Sequence, residues 1–205
     1  EKYLELAKMP VSSLKKVSTP CIDDHLISPE DEQTKGILAD SCSRIVLKVL
    51  YLARVKRLDL LFSVNMLARE VTKWTVACDK RLHRLMCYIH HTSDWSQTCF
   101  VGDDFQDCML VMFADAGFAG CLRSSKSTSG GLIALIGRQT FVPITWLCKK
   151  QGAISHSSSE AEVIALDAAL RLEGIPCLTL WSKVLDVLNK IKNEIDPTLA
   201  YRRSC

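Results

Sequence analysis

Two acids are placed for chemistry in this 205-residue sequence. Asp115 closes the apolar run Met109-Leu110-Val111-Met112-Phe113, and Glu162 stands near the start of the helix-like stretch Ser157 to Leu166. A carboxylate at a strand end and another near a helix start can assemble a divalent-cation site from distant parts of a chain. The same pattern describes a strand-end turn residue and a helix N-terminal acid favoured by the helix dipole. Between the two acids lie Lys126-Ser127-Thr128-Ser129 and, after Trp146, Lys149-Lys150. Lysines and hydroxyls of this kind can meet phosphates without regard to base sequence. They can equally form a turn that leads into a strand.

The elements that must position these residues read as follows. Residues 1–40 carry Pro10, Pro20 and Pro29 among scattered acids and are expected as an irregular linker. Residues 41–92 read as three amphipathic helices in a small helical subdomain. Ile45, Val49, Leu52 and Ala53 form one apolar face, and Leu60, Leu61, Val64, Leu67, Ala68 and Val71 a second. Leu82, Leu85, Met86 and Ile89 form a third, over about Val76 to His91. Residues 93–108 read as an acidic connector. From Met109 the texture changes to strands, over about 109–114, 128–136 and 140–147. The last two are joined by the turn Gly137-Arg138-Gln139 and must be antiparallel neighbours. A helix follows, with Ser157 to Ser159 as N-cap candidates, and Gly174-Ile175-Pro176 is expected to stop it. A further helix is expected over about Thr179 to Ile191, and the tail from Asp196 is expected to fray.

Composition narrows the classes. Charged residues make up 24% and hydrophobic residues 48%, ordinary globular values. Arg44 to Arg84 holds ten Lys and Arg against three acids, whereas Ser93 to Gly120 holds five Asp and no Lys or Arg. A basic block beside an acidic one suits a surface that meets polyanions next to a site that holds cations, or else two solvated helix faces and an acidic loop. Ten cysteines occur without a C-x-x-C pair, and no signal pattern or long apolar run is present. They read as reduced thiols of an intracellular protein with no membrane span. His83, His90 and His91 lack partners at zinc-ligand spacing. His156 with Ser157 to Ser159 lacks the Gly-x-Ser-x-Gly elbow of a serine hydrolase. The start at Glu1 rather than Met is read as a piece cut from something longer.

Five motifs, in order and at nearly the expected gaps, resemble the Pol polyprotein of copia-type retrotransposons. Tyr51-Leu52-Ala53 with Arg57-Leu58-Asp59-Leu60 is similar to YLA…TRPDI, and Arg84…Tyr88-Ile89…Thr92 to KRILRYLKGT. Phe113 to Gly120 resembles YSDADWAG, and Lys126 to Gly130 is KSTSG unchanged. Trp146…Lys149-Lys150-Gln151 with Ser157 to Leu166 resembles W-x-S-K-K-Q…SSTEAEYIAL. The resemblance implies that the first part is the C-terminal tail of a reverse transcriptase. Residues 109–205 would be a ribonuclease H (RNase H) domain cutting the RNA strand of an RNA–DNA hybrid. It implies an α+β fold, with Asp115 at the end of a central strand and Glu162 as catalytic and metal-binding acids. Two Mg²⁺ or Mn²⁺ ions are implied with them. Lys126, Ser127, Thr128, Ser129, Lys149 and Lys150 would be hybrid contacts, the upstream reverse transcriptase a partner, and a cytoplasmic particle or the nucleus the location.

This sequence departs from the family at two places. Gly117 stands where the family usually has a second Asp, and the family's third catalytic Asp, on a later strand, has no counterpart here. Asp186 falls in a helix-like run, and Asp196 precedes a proline. The expectation is therefore an incomplete RNase H-like domain of three antiparallel strands with packed helices, cut short on its C-terminal side. The alternative is a relic that folds and at most binds nucleic acid.

Overall fold

The computed structural model describes residues 2–121 and 124–195. The chain forms two compact units, Glu1–Thr98 and Cys99–Cys205.

The first unit is helical. Its helices are α1 (Lys2–Ala7), α2 (Pro29–Gln33), α3 (Cys42–Val55), α4 (Leu61–Ala68) and α5 (Val76–His91). The three longer helices bury the faces their periodicity predicts. Ile45, Val49 and Ala53 of α3, Val64 and Leu67 of α4, and Leu82 and Leu85 of α5 form the core. Packing of amphipathic faces, more than helix propensity, holds such helices in place.

The segment read as irregular linker is packed structure. Tyr3, Leu14 and Leu38 are buried. The Tyr3 hydroxyl lies 2.8 Å from His83 Nδ1, and His91 Nε2 lies 2.8 Å from the Leu14 carbonyl oxygen. The Asp79 carboxylate accepts from the Ile37 and Leu38 amides and from Trp74 Nε1. Pro29 opens α2 behind a Ser28–Asp31 capping box instead of disrupting it. The prolines do break the segment into short pieces. Its anchors are single residues far apart in sequence, so no periodicity announces them.

Arg57 fixes the turn between α3 and α4. Its guanidinium makes two bonds to the Asp59 carboxylate, at 3.0 and 2.8 Å, and two to Thr92, one to the carbonyl and one to the hydroxyl. It also lies over the Tyr88 and Trp95 rings, 5.8 and 6.0 Å from their centroids. Two of the motif stretches, Arg57 to Leu60 and Tyr88 to Thr92, thus meet at one buried cation.

The second unit is α+β: a four-stranded antiparallel sheet in the order β1-β4-β3-β2 with helices packed against it. Its strands are β1 (Phe100–Val101), β2 (Met109–Gly117), β3 (Thr128–Ile136) and β4 (Thr140–Lys150). The three predicted strands are present. The fourth, β1, lies within the stretch expected as connector and pairs Phe100 with Phe141. Pro143 sits inside β4, where the register jumps between Ile133 and Ala134. A bulge is where a strand tolerates a residue without an N–H.

Two expectations are corrected. The strand bearing Asp115, expected to be central, is an edge strand among the described residues, paired with β3, and this counts against the RNase H-like arrangement. After β4 the described residues are loop and helix, so no later strand is available to flank it. Nor do Gly174, Ile175 and Pro176 stop the helix. α6 (Ser158–Ala169) passes through a π-helical turn, Leu170–Gly174, directly into α7 (Ile175–Ile195). Pro176 falls in the first turn of α7, where a missing amide is tolerated. The tail from Asp196 lies outside the described residues.

α6 lies on β2 and β3 through a row of small residues. Ala161, Ala165 and Ala169, spaced four apart, are all buried. A Cβ on Gly131 would come within 2.9 Å of the Ala169 Cβ, so the close approach needs glycine there.

The Arg57 node gives a testable consequence. Partial burial pushes the Asp59 carboxyl up, but the bonds and charge of Arg57 outweigh it and hold the carboxyl below its ordinary range. Such a group stabilises fully above its unfolded pKa and loses that contribution as pH falls through the folded value. Arg57→Ala should therefore cost roughly 2–3 kcal/mol at neutral pH, less than a fully buried pair because Asp59 is partly solvated. In urea unfolding followed by circular dichroism, the gap between parent and variant should narrow below about pH 4.

Candidate functional site

Asp115 sits near the end of β2, paired with Gly130, which in turn faces Cys148 on β4. Its side chain is exposed. Residues directly opposite on neighbouring strands share a face, and successive residues alternate. Gly131 approaches Ala169 of α6, so Ala114, paired with Gly131, lies on the α6 side. Asp115 takes the other side with Phe113. Glu162 is an exposed residue of α6, one position past the buried Ala161. The helix thus covers the sheet face away from which the Asp115 side chain starts.

Glu160 acts at the helix end, as a capping acid would. The Ser157 hydroxyl accepts from the Glu160 amide at 3.1 Å, and the Glu160 carboxylate accepts from the His156 amide at 2.7 Å. Among the described residues no group of three or more His, Cys, Asp or Glu could hold a metal ion. A two-ion centre needs enough anionic oxygens to replace the hydration of both ions. The residues present do not fit that requirement. Asp186, the later acid within described structure, lies in the helix α7 and supplies no strand-borne ligand.

The predicted phosphate contacts separate into two kinds. Ser127 and Ser129 are buried, at 0% and 1% exposure, which removes them as contacts to an outside phosphate. The Ser127 hydroxyl accepts from the Ala119 amide at 3.1 Å. Thr128 is half-buried at the start of β3, opposite Gly117 and Lys150. The Lys126 ammonium donates to the Gly152 carbonyl, and the Lys150 ammonium to Cys121 Sγ at 2.8 Å. Lys149 projects into solvent from the end of β4.

What the motif residues do build is a buried polar node around Gln151. Its amide nitrogen donates to Ser129 Oγ at 3.1 Å and to the Ala161 carbonyl at 2.9 Å. Its amide oxygen accepts from the Ser155 hydroxyl at 2.9 Å. The Gln151 amide also donates to the Ser127 carbonyl at 2.9 Å. One side chain thus ties the start of β3 and the loop after β4 to the first turn of α6. Sequence reasoning placed Gln151 in a motif without giving it a role. The signal was available: a glutamine between two basic residues and a glycine, followed by a hydroxyl four residues on, is a polar group needing partners wherever the segment is buried.

Among curated proteins, the chain is 32% identical over 124 residues to the secreted RxLR effector protein 161 of Plasmopara viticola. That match covers 59% of this chain and 80% of that protein. It is 28% identical over 183 residues to the retrovirus-related Pol polyprotein from transposon TNT 1-94 of Nicotiana tabacum, covering 80% of this chain and 12% of the polyprotein. The chain therefore spans only a small part of that relative. No protein-family model matches, and no solved structure matches significantly.

Replacing the amide tests the node. Gln151→Ala removes the partner of two buried hydroxyls, Ser129 and Ser155, and should cost about 2–3 kcal/mol in urea unfolding. Lys149→Ala, on an exposed side chain, should stay within about 0.5 kcal/mol of the parent.

Proposed function

Since the chain belongs to the same family as the secreted RxLR effector protein 161 of Plasmopara viticola, and also resembles a retrotransposon Pol polyprotein, we propose that it is a Pol-derived module. In this reading the sheet unit is an RNase H-like scaffold that engages polynucleotide without cutting it. The helical unit corresponds to the end of a reverse transcriptase, whose upstream part would be its natural neighbour. The observation that carries the reading is the contrast within one unit. The buried Gln151 node is fully bonded, while the acids stop at Asp115 and Glu162 and form no cluster.

The chemistry supports binding over hydrolysis. Phosphodiester hydrolysis by the RNase H route needs an activated water and a stabilised leaving oxyanion, both drawn from a pair of ions. The acids described here are too few to hold such a pair, so no hydrolytic step is assigned to them. Contacts between lysine and phosphate need no metal. Lys149 is the member of the predicted set that is exposed and projects from a strand end. On the helical unit, Arg44 and Lys48 are exposed on α3. The preferred ligand is an RNA–DNA hybrid, whose backbone these cations would meet without reading bases.

A labelled RNA–DNA hybrid tests both halves of the reading. With Mg²⁺ or Mn²⁺ present, neither the parent nor Asp115→Asn should cleave it. Binding should weaken steeply between about 50 and 200 mM salt, and Lys149→Ala should make that slope shallower by about one phosphate contact. Cleavage by the parent that Asp115→Asn abolishes would restore the enzyme and reveal a metal ligand outside the acids described. Absence of salt-sensitive binding would remove the polynucleotide half.

A further inference from the structure

The helical unit contains a cavity that the polynucleotide reading does not use. It measures about 480 Å³ and lies between α5 and the N-terminal segment. That is within the size range of small-molecule sites, roughly 300–1,000 Å³. Its apolar lining is Ala7, Val17 and Ile22, with the exposed Met9 and Ile37 at its open rim. Its α5 side carries His83, Arg84 and Cys87. Tyr3 holds the imidazole from one side at 2.8 Å, and the buried Cys87 Sγ lies 3.5 Å from Nε2 on the other. Burial pushes the Tyr3 hydroxyl well above its ordinary range, so it stays neutral.

The charges around the cavity do not cancel. Asp79 is its acid, and that carboxylate is occupied by two backbone amides and the Trp74 indole. Lys80 is paired with Asp31 at 2.6 Å. Two further cations, Lys15 and Arg84, line the same cavity. Among the described residues no carboxylate pairs with either. Arg84 bonds only to neutral oxygens of Thr19, at 3.0 and 3.1 Å. The half-buried Arg84 therefore stands at the apolar lining without a counter-charge, with the solvated Lys15 beside it at the open rim. A ligand with an apolar tail and one anionic head satisfies both features at once.

We propose that this cavity binds a medium-chain aliphatic carboxylate, its tail among the apolar residues and its head on Arg84 and Lys15. The site belongs to the helical unit alone and stands whether or not the sheet unit binds polynucleotide. The choice of a carboxylate rests on the pair of cations, and the choice of a flexible chain on a wall without aromatic stacking surfaces beyond Tyr3 and His83.

The test titrates dodecanoate, below its micelle-forming concentration, into the full chain. Isothermal calorimetry reads affinity, and the His83 ring resonance reads location. Saturable binding of one equivalent with a shifted His83 resonance is expected. Dodecan-1-ol, with the same tail and no charge, should bind about tenfold more weakly, as should dodecanoate to Arg84→Gln. Lys15→Gln gives a second variant on an exposed side chain, safe for the fold, and should weaken dodecanoate in the same direction. Ala7→Phe, which fills the chamber, should abolish binding while leaving the melting temperature unchanged or raised. Equal affinity for acid and alcohol would overturn the proposal. So would binding insensitive to both charge substitutions, binding that survives Ala7→Phe, or no saturable binding at all.

Discussion

The sheet unit depends on the Gln151 amide more than on any other polar group. Three elements converge where a backbone carbonyl of α6 and two serine hydroxyls are removed from water. The carbonyl also serves the helix ladder, but the two hydroxyls would lose their partner without the carboxamide, at about 1–3 kcal/mol apiece. A single carboxamide has the two donors and the acceptor that this geometry requires, and neither a lysine nor a carboxylate does. The small-residue row on α6 follows from the same constraint. The helix must lie close to the sheet for its first turn to reach Gln151, and Ala161, Ala165, Ala169 and Gly131 allow that approach.

The helical unit repeats this logic with a charge. Arg57 is buried at 6% exposure, yet its donors go to Asp59 and Thr92, and its face lies near two aromatic rings. In both units some of the residues that carry the resemblance to Pol polyproteins, Arg57, Thr92, Ser127, Ser129 and Gln151, make hydrogen bonds in buried surroundings. The stretch Lys126 to Ser129 reads as a phosphate-binding loop from its hydroxyls and its lysine. Burial turns two of those hydroxyls inward and engages the lysine with a backbone carbonyl.

That difference marks how far the sequence could be read. The three long helices of the first unit announce themselves by period, and strands β2, β3 and β4 by short apolar runs bounded by turn residues. The N-terminal segment does not. Its tethers run from Tyr3 to His83 and from Leu14 to His91, pairs about eighty residues apart that no local pattern encodes. The continuous helix through Gly174 escaped for a related reason. Glycine and proline are stop signals only on average, and a π-helical turn placed Pro176 where its missing amide is harmless. The position of β2 at the edge of the sheet was hidden because strand order depends on later segments, and the described ones are loop and helix.

The two classes of residue also respond differently to loss. Asp115 and Glu162 are exposed, so removing either leaves no buried group unpaired. A metal centre can therefore lose a ligand with little effect on folding. The Gln151 and Arg57 nodes have no such freedom, since each deletion leaves desolvated partners behind. Among the described residues β2 offers an unpaired backbone edge, the feature that invites association with other strands. Its exposed Met109 and Phe113 are followed by the charge of Asp115. A carboxylate at that position has a physical use of its own: it discourages another strand from pairing along an open edge.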